Sequence, residues 1–175
     1  MRIIHYFLGF PPFRTGGLTK YAFDLMIAQK QCGDEVIALW PGKIGFIGNK
    51  VSFRKHADVL GIQNIEIINP LPVSLDEGIL DISSYIKPTE KGTFVVFLNN
   101  ARPDVIHIHT LMGLYSEFVE AAKELNIKTI FTTHDYFGIC PKVTLYRKGK
   151  VCSDDNGCEE CIKCNQSALS LQKIV

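Results

Sequence analysis

The sequence has no apolar run that approaches the ~20 residues of a membrane-spanning helix. It also lacks an excess of charge of either sign. Nineteen basic and 18 acidic side chains leave a formal net charge of +1, with no long run of Lys or Arg, so there is no electrostatic reason to expect a nucleic-acid partner. The opening residues MRIIHYFLGFPPF hold one Arg, an early His5 and a Pro pair but no small-residue cleavage site. They read as a first strand and not as a signal peptide, and a cytoplasmic protein is expected. Cysteine is almost missing from most of the chain: of six, only Cys32 lies within the first 139 residues. A secreted scaffold spreads its cysteines, so the clustering of the other five points to a local metal site or crosslink. Repeats, low-complexity tracts and linkers are absent as well. What remains is 175 residues, 46% hydrophobic and 21% charged, enough for one sizeable core and not comfortably for two.

The pattern along the chain is that of a parallel α/β domain. Arg2 to Leu8 is a short apolar strand, followed by the loop GFPPFRTGG and by LTKYAFDLMIAQKQ, where Leu18, Tyr21, Ala22 and Leu25 recur at helical spacing. Thr15 is a candidate N-cap and Gly33 a candidate stop. Glu35 to Trp40 is a second strand, which completes a βαβ unit and implies a parallel sheet. Gly48-Asn49, within Lys43 to Phe53, suggests a tight hairpin turn. Asn64 to Ile68 and Val105 to His109 read as strands, as does Lys128 to Thr133. Helices are expected over Leu75 to Ile86, Thr93 to Asn100 and Leu114 to Leu125, with another beginning at Ser167. The stretch from Cys140 to Cys164 reads as an irregular loop. The expected architecture is a single doubly wound α/β domain over residues 1–175, mainly parallel and Rossmann-like.

In open parallel sheets ligands bind beyond the carboxyl ends of the strands. Three features fall there. Gly16 and Gly17 open a helix, where bare backbone N–H groups and the helix dipole favour an anion, unless the glycines merely permit a turn. The GxGxxG spacing is absent and the connection from Gly9 to Thr15 is long, which argues against a dinucleotide domain and for a phosphate approached across a cleft. His107 and His109 share one face of their strand. His107, mid-strand, suits a satisfied core histidine, whereas His109, at the strand end, is placed to donate a hydrogen bond to a substrate hydroxyl or phosphate. His134 and Asp135 hold the matching end of the next strand, although Asp135 equally suits a local turn cap. No Ser or Cys sits in a nucleophile elbow.

An opening strand, a loop ending in GG before a helix, PDVIHIHTLMGLYSEF and then KTIFTTHDYFGICP together resemble the N-terminal Rossmann-like domain of retaining GT-B glycosyltransferases of family 4. The stretch HDYFGICP, followed by YRKGKVCSDDNGCEECIKC, resembles a subgroup with a cysteine-containing loop. The resemblance implies a nucleotide-sugar donor, a glycan or lipid-linked acceptor, no cofactor for catalysis and possible work at the inner membrane face. It implies that Gly16 and Gly17 lie against the donor diphosphate, that His109 is catalytic beside the transferred sugar, and that His134 and Asp135 line the acceptor side. The family's second domain, with its Glu-x7-Glu element, has no counterpart among these residues: no two glutamates stand eight apart. The expectation is therefore an acceptor-binding half, inactive by itself. The competing readings are a stand-alone binding module with a zinc-dependent interaction loop and an iron–sulfur protein. The latter lacks the fourth Cys-Pro of the bacterial cluster run.

The cysteine loop carries a separate expectation. Cys152, Cys158, Cys161 and Cys164 supply four thiolates that suit one structural zinc, with Cys140 able to replace one of them. A disulfide or unmetallated thiols are the alternatives.

Overall fold

The computed structural model describes residues 1–45, 49–73, 82–140, 142–147, 149–152 and 161. Six strands form one sheet: β1 (Arg2–Tyr6), β2 (Glu35–Pro41), β3 (Ser52–Val59), β4 (Ile62–Ile68), β5 (Val105–Ile108) and β6 (Lys128–Phe131), in the spatial order β3-β4-β2-β1-β5-β6. All pairs are parallel except β3 with β4. The first connection is α1 (Gly17–Gln31); α2 (Lys91–Ala101) and α3 (Ser116–Glu124) follow later.

The helices cover opposite faces. In α1 the spacing of Thr19, Ala22 and Met26 turns one stripe inward, where Ala22 and Met26 pack with Phe7, Val36, Ala38 and Ile62. On the other face, Phe94 and Leu98 of α2 and Phe118 and Ala121 of α3 join Ile4, Tyr6, Ile106 and Ile108 in the larger core. Strands buried on both faces read as near-continuous apolar runs, as β1 and β2 do. The fold is thus the doubly wound, mainly parallel α/β arrangement expected.

Several local expectations are corrected. The N-cap of α1 is Gly16, and no side chain caps the helix, so Thr15 does not serve. Gly33 does stop it, at φ 91°, just beyond the C-cap Cys32. The turn expected at Gly48-Asn49 falls partly outside the described residues, since Gly48 is not among them; a hairpin joins β3 to β4, and its two-residue turn is Leu60 (φ 52°) and Gly61 (φ 77°). Both signs are those that a type I′ turn requires. β3 itself is an edge strand with Arg54, Lys55 and Asp58 exposed, a charged guard against edge pairing. The helix expected over 75–86 lies largely outside the described residues, and Ile82–Tyr85 forms a single 3-10 turn. The helix expected from Ser167 lies outside them entirely. Within the Cys-rich stretch, β7 (Tyr146–Arg147) pairs antiparallel with β8 (Lys150–Val151).

Two glycines are required where β2 and β5 end. A Cβ at Gly42 would overlap the buried side chain of Glu66. That carboxylate accepts the Lys43 N–H at 2.9 Å and lies 2.7 Å from His56 Nε2. Gly113 has φ 75°, and a Cβ there would meet Pro41 at 2.7 Å and the Tyr6 hydroxyl at 3.0 Å.

Candidate active site

Strand pairing assembles a row of histidines. β1 and β5 lie side by side with His5 opposite His107. The two-residue period of β5 carries the next residue, His109, to the same face. His134 follows β6, the neighbouring strand. His5 Nε2 lies 2.6 Å from Gln29 Oε1 of α1, and His5 Nδ1 lies 3.0 Å from His109 Nε2. His109 Nδ1 in turn is 3.3 Å from His134 Nε2. His107 stands beside this row and meets the Thr132 hydroxyl at 2.7 Å. Tyr21, on the second turn of α1, covers the outer end, with its ring centre 4.9 Å from that of His134 and 5.9 Å from that of His109.

Burial keeps these rings neutral. It lowers His5 to about 4 and His109 to about 3, helped for His109 by its histidine neighbours. Burial also lowers His107 and His134, against the pull of Asp135 in the latter. Neutral imidazoles are the form that binds metal, and ligand atoms of His5, His107 and His109 lie within 4.8 Å of one another. The geometry nevertheless disfavours an ion. The His5 and His109 ring centres are 5.3 Å apart with planes 13° apart, which is the N···N distance plus the two ring radii. The nitrogens therefore face each other along one line, 3.0 Å apart, and half that span is far short of the ~2.0 Å of a metal–imidazole bond. This is a hydrogen bond.

The expected site residues fall as follows. His109 is 1% exposed with both nitrogens engaged by other histidines, so it stands behind His134 and does not front the cleft. His134 is half-buried at the open edge. Asp135 accepts the Phe137 N–H at 2.9 Å, the local turn cap considered from sequence. Gly16 (φ 111°) and Gly17 are exposed, with open space around both Cα atoms. They lie one helical turn before Tyr21 and hence beside the histidine row. Thr19, in the same first turn, is 2% exposed, and its hydroxyl has no hydrogen-bond partner among the described residues. Cys152 and Cys161 are described; Cys158 and Cys164 lie outside the described residues. Cys140 Sγ accepts the Leu145 N–H at 3.4 Å.

Sequence reasoning passed over His5, Gln29 and Tyr21. His5 sits in an apolar strand and Gln29 in a polar helix end, and only the register of β1 against β5 joins them to the site. Their one advance signal was the His5 interruption of an otherwise apolar strand.

Among the described residues no helix is long and apolar enough to cross a membrane. None of the curated proteins compared with the chain matches it. The family model described as Glycosyltransferase Family 4 matches residues 15–151, a span that includes Gly16, Gly17, His109, His134 and Asp135 and leaves out His5. With more than half of its length matched, and with a Rossmann-like sheet whose candidate site lies at the carboxyl edge, the chain belongs to glycosyltransferase family 4.

Proposed function

We propose that the chain forms the acceptor-binding half of a retaining glycosyltransferase of GT-B architecture, which moves a sugar from a nucleotide-sugar to a glycan or lipid-linked acceptor. A second domain would hold most of the donor. The observation that carries this reading is the bare N-terminus of α1 beside the histidine row. α1 has 15 residues, an uncapped start and no acidic side chain in its first turn. Its first N–H groups lack intrahelical acceptors and point, with the positive end of the dipole, into open space at Gly16 and Gly17. A donor diphosphate suits that position, and the same amides stabilise the charge that develops as the diphosphate leaves. The acceptor would approach from the histidine side, with His134 lining its path and the buried His109 behind it. An apolar groove of about 460 Å³ at the same edge, lined in part by Leu71, Ile86, Leu111, Leu114 and Phe137, suits the apolar portion of a lipid-linked acceptor and supports peripheral work at a membrane.

Titration of pyrophosphate into the 15N-labelled chain tests the reading. The amide signals of Gly16, Gly17 and Leu18 should move first, and Gly17→Val should weaken binding at least tenfold by filling the approach. Shifts confined to surface lysines, unaffected by Gly17→Val, would overturn it.

A further inference from the structure

The histidine row also has a direction. Gln29 turns its carbonyl oxygen to His5 Nε2 at 2.6 Å, and a carbonyl oxygen only accepts. The proton of His5 is therefore on Nε2. A neutral imidazole has one N–H, so His5 Nδ1 is bare and accepts the 3.0 Å bond from His109 Nε2–H. His109 Nδ1 is then bare in turn and accepts from His134 Nε2–H at 3.3 Å. One nitrogen is left at the end of the row, His134 Nδ1, which has no hydrogen-bond partner among the described residues.

We propose that Gln29, acting through His5 and His109, holds the proton of His134 on Nε2, leaving Nδ1 as a hydrogen-bond acceptor for a ligand hydroxyl at the open edge of the sheet. His5 is fully buried and Gln29 lies at the far end of the row, so both are positioning residues. The groups that face His134 leave this role open. Tyr21 offers its ring, His109 is spent on the row, and the Asp135 carboxylate turns to the Phe137 N–H. An unprotonated nitrogen repels a phosphate or carboxylate oxygen and welcomes an O–H. The edge thus separates two chemistries: anions at the Gly16–Gly17 amides and hydroxyls at His134. Identifying that hydroxyl as one of a sugar or acceptor rests on the function proposed above.

The protonation pattern is directly readable. In the chain with 15N-labelled histidine, two-bond nitrogen–proton correlation at neutral pH should show His5, His109 and His134 each with Nε2 protonated and Nδ1 bare, the bare nitrogen far downfield of the protonated one. Gln29→Met removes the acceptor and should leave His134 averaging between tautomers, whereas Gln29→Glu keeps a carboxylate oxygen at His5 and should restore the wild-type pattern. A His134 proton on Nδ1, or averaging already in the wild type, would overturn the proposal. Methyl α-glucoside should shift His134 Nδ1 and inorganic phosphate should not; the reverse, or no shift with the glucoside, would overturn the hydroxyl assignment. No transfer reaction is needed for this readout, so its failure leaves the pyrophosphate test at Gly16 and Gly17 standing, and the converse also holds.

Discussion

Mild acid should destabilise the protein through its buried histidines, and the size of the loss follows from their placement. His5 and His109 are 0% and 1% exposed and are held at about 4 and about 3, against an ordinary 6.5. Above pH 6.5 the rings are neutral in folded and unfolded chains alike, and stability is complete. Below 6.5 each unfolded ring takes up a proton that the folded one refuses, so stability falls by ~1.4 kcal/mol per pH unit for each ring. The fall continues until the folded values are reached. Between pH 7 and pH 5 the two rings together remove about 4 kcal/mol, a large share of the ~5–15 kcal/mol that holds a typical domain. His107 and His134, also lowered by burial, add to the loss in the same direction. Urea denaturation at fixed ionic strength is the assay. With a slope of ~2 kcal/mol/M the midpoint should drop by about 2 M over this range. His5→Gln should remove roughly half of that ~4 kcal/mol, since one of its two rings is gone, and leave the contributions of His107 and His134. A midpoint unchanged between pH 7 and pH 5 would refute the buried neutral row.

Three other outcomes are expected. Gly113→Ala combines a left-handed backbone, ~1–2 kcal/mol, with crowding of Pro41 and Tyr6, ~1–3 kcal/mol; thermal melts should show a drop of about 5–15 °C, and a melt unchanged from wild type would mean the loop relaxes. The chain purified without chelator should carry about one zinc, lost in Cys158→Ser and kept in Cys140→Ser; metal-free protein with fully titratable thiols would retire the four-cysteine site. On the acceptor-half reading, in which a second domain holds most of the donor, the 175 residues incubated with nucleotide-sugars and lipid-linked acceptors should form no glycoside; robust turnover would overturn that reading.

The parts of the fold legible in the sequence are those where pattern and environment agree. β1, α1 and β2 were placed to within a residue or two because apolar strands buried on both faces flank a helix with a clear inner stripe. β3 was not, since in its sequence SFRKHADV the alternate positions Phe53, Ala57 and Val59 are interrupted by the exposed Lys55, along an edge where burial imposes little pattern. Its turn escaped as well: Leu60 in a left-handed conformation has none of the Asn or Asp preference that flags a type I′ hairpin. For the site, strand ends located His109 and His134, but whether a ring fronts the cleft or stands behind another depends on side-chain packing across three strands. That is why His109 was expected at the front and His5 was not expected at all.

The close fit of Glu66 against Gly42 has an evolutionary consequence. The buried carboxylate occupies the volume that any side chain at position 42 would need, while binding the Lys43 N–H and facing His56. Neither residue can change first without loss. A side chain at 42 expels the carboxylate from its partners, and shortening Glu66 opens a void and leaves the Lys43 N–H unpaired. Descendants of this chain should therefore exchange the two positions together or not at all, and a library that varies both should recover alanine at 42 only where residue 66 has become smaller.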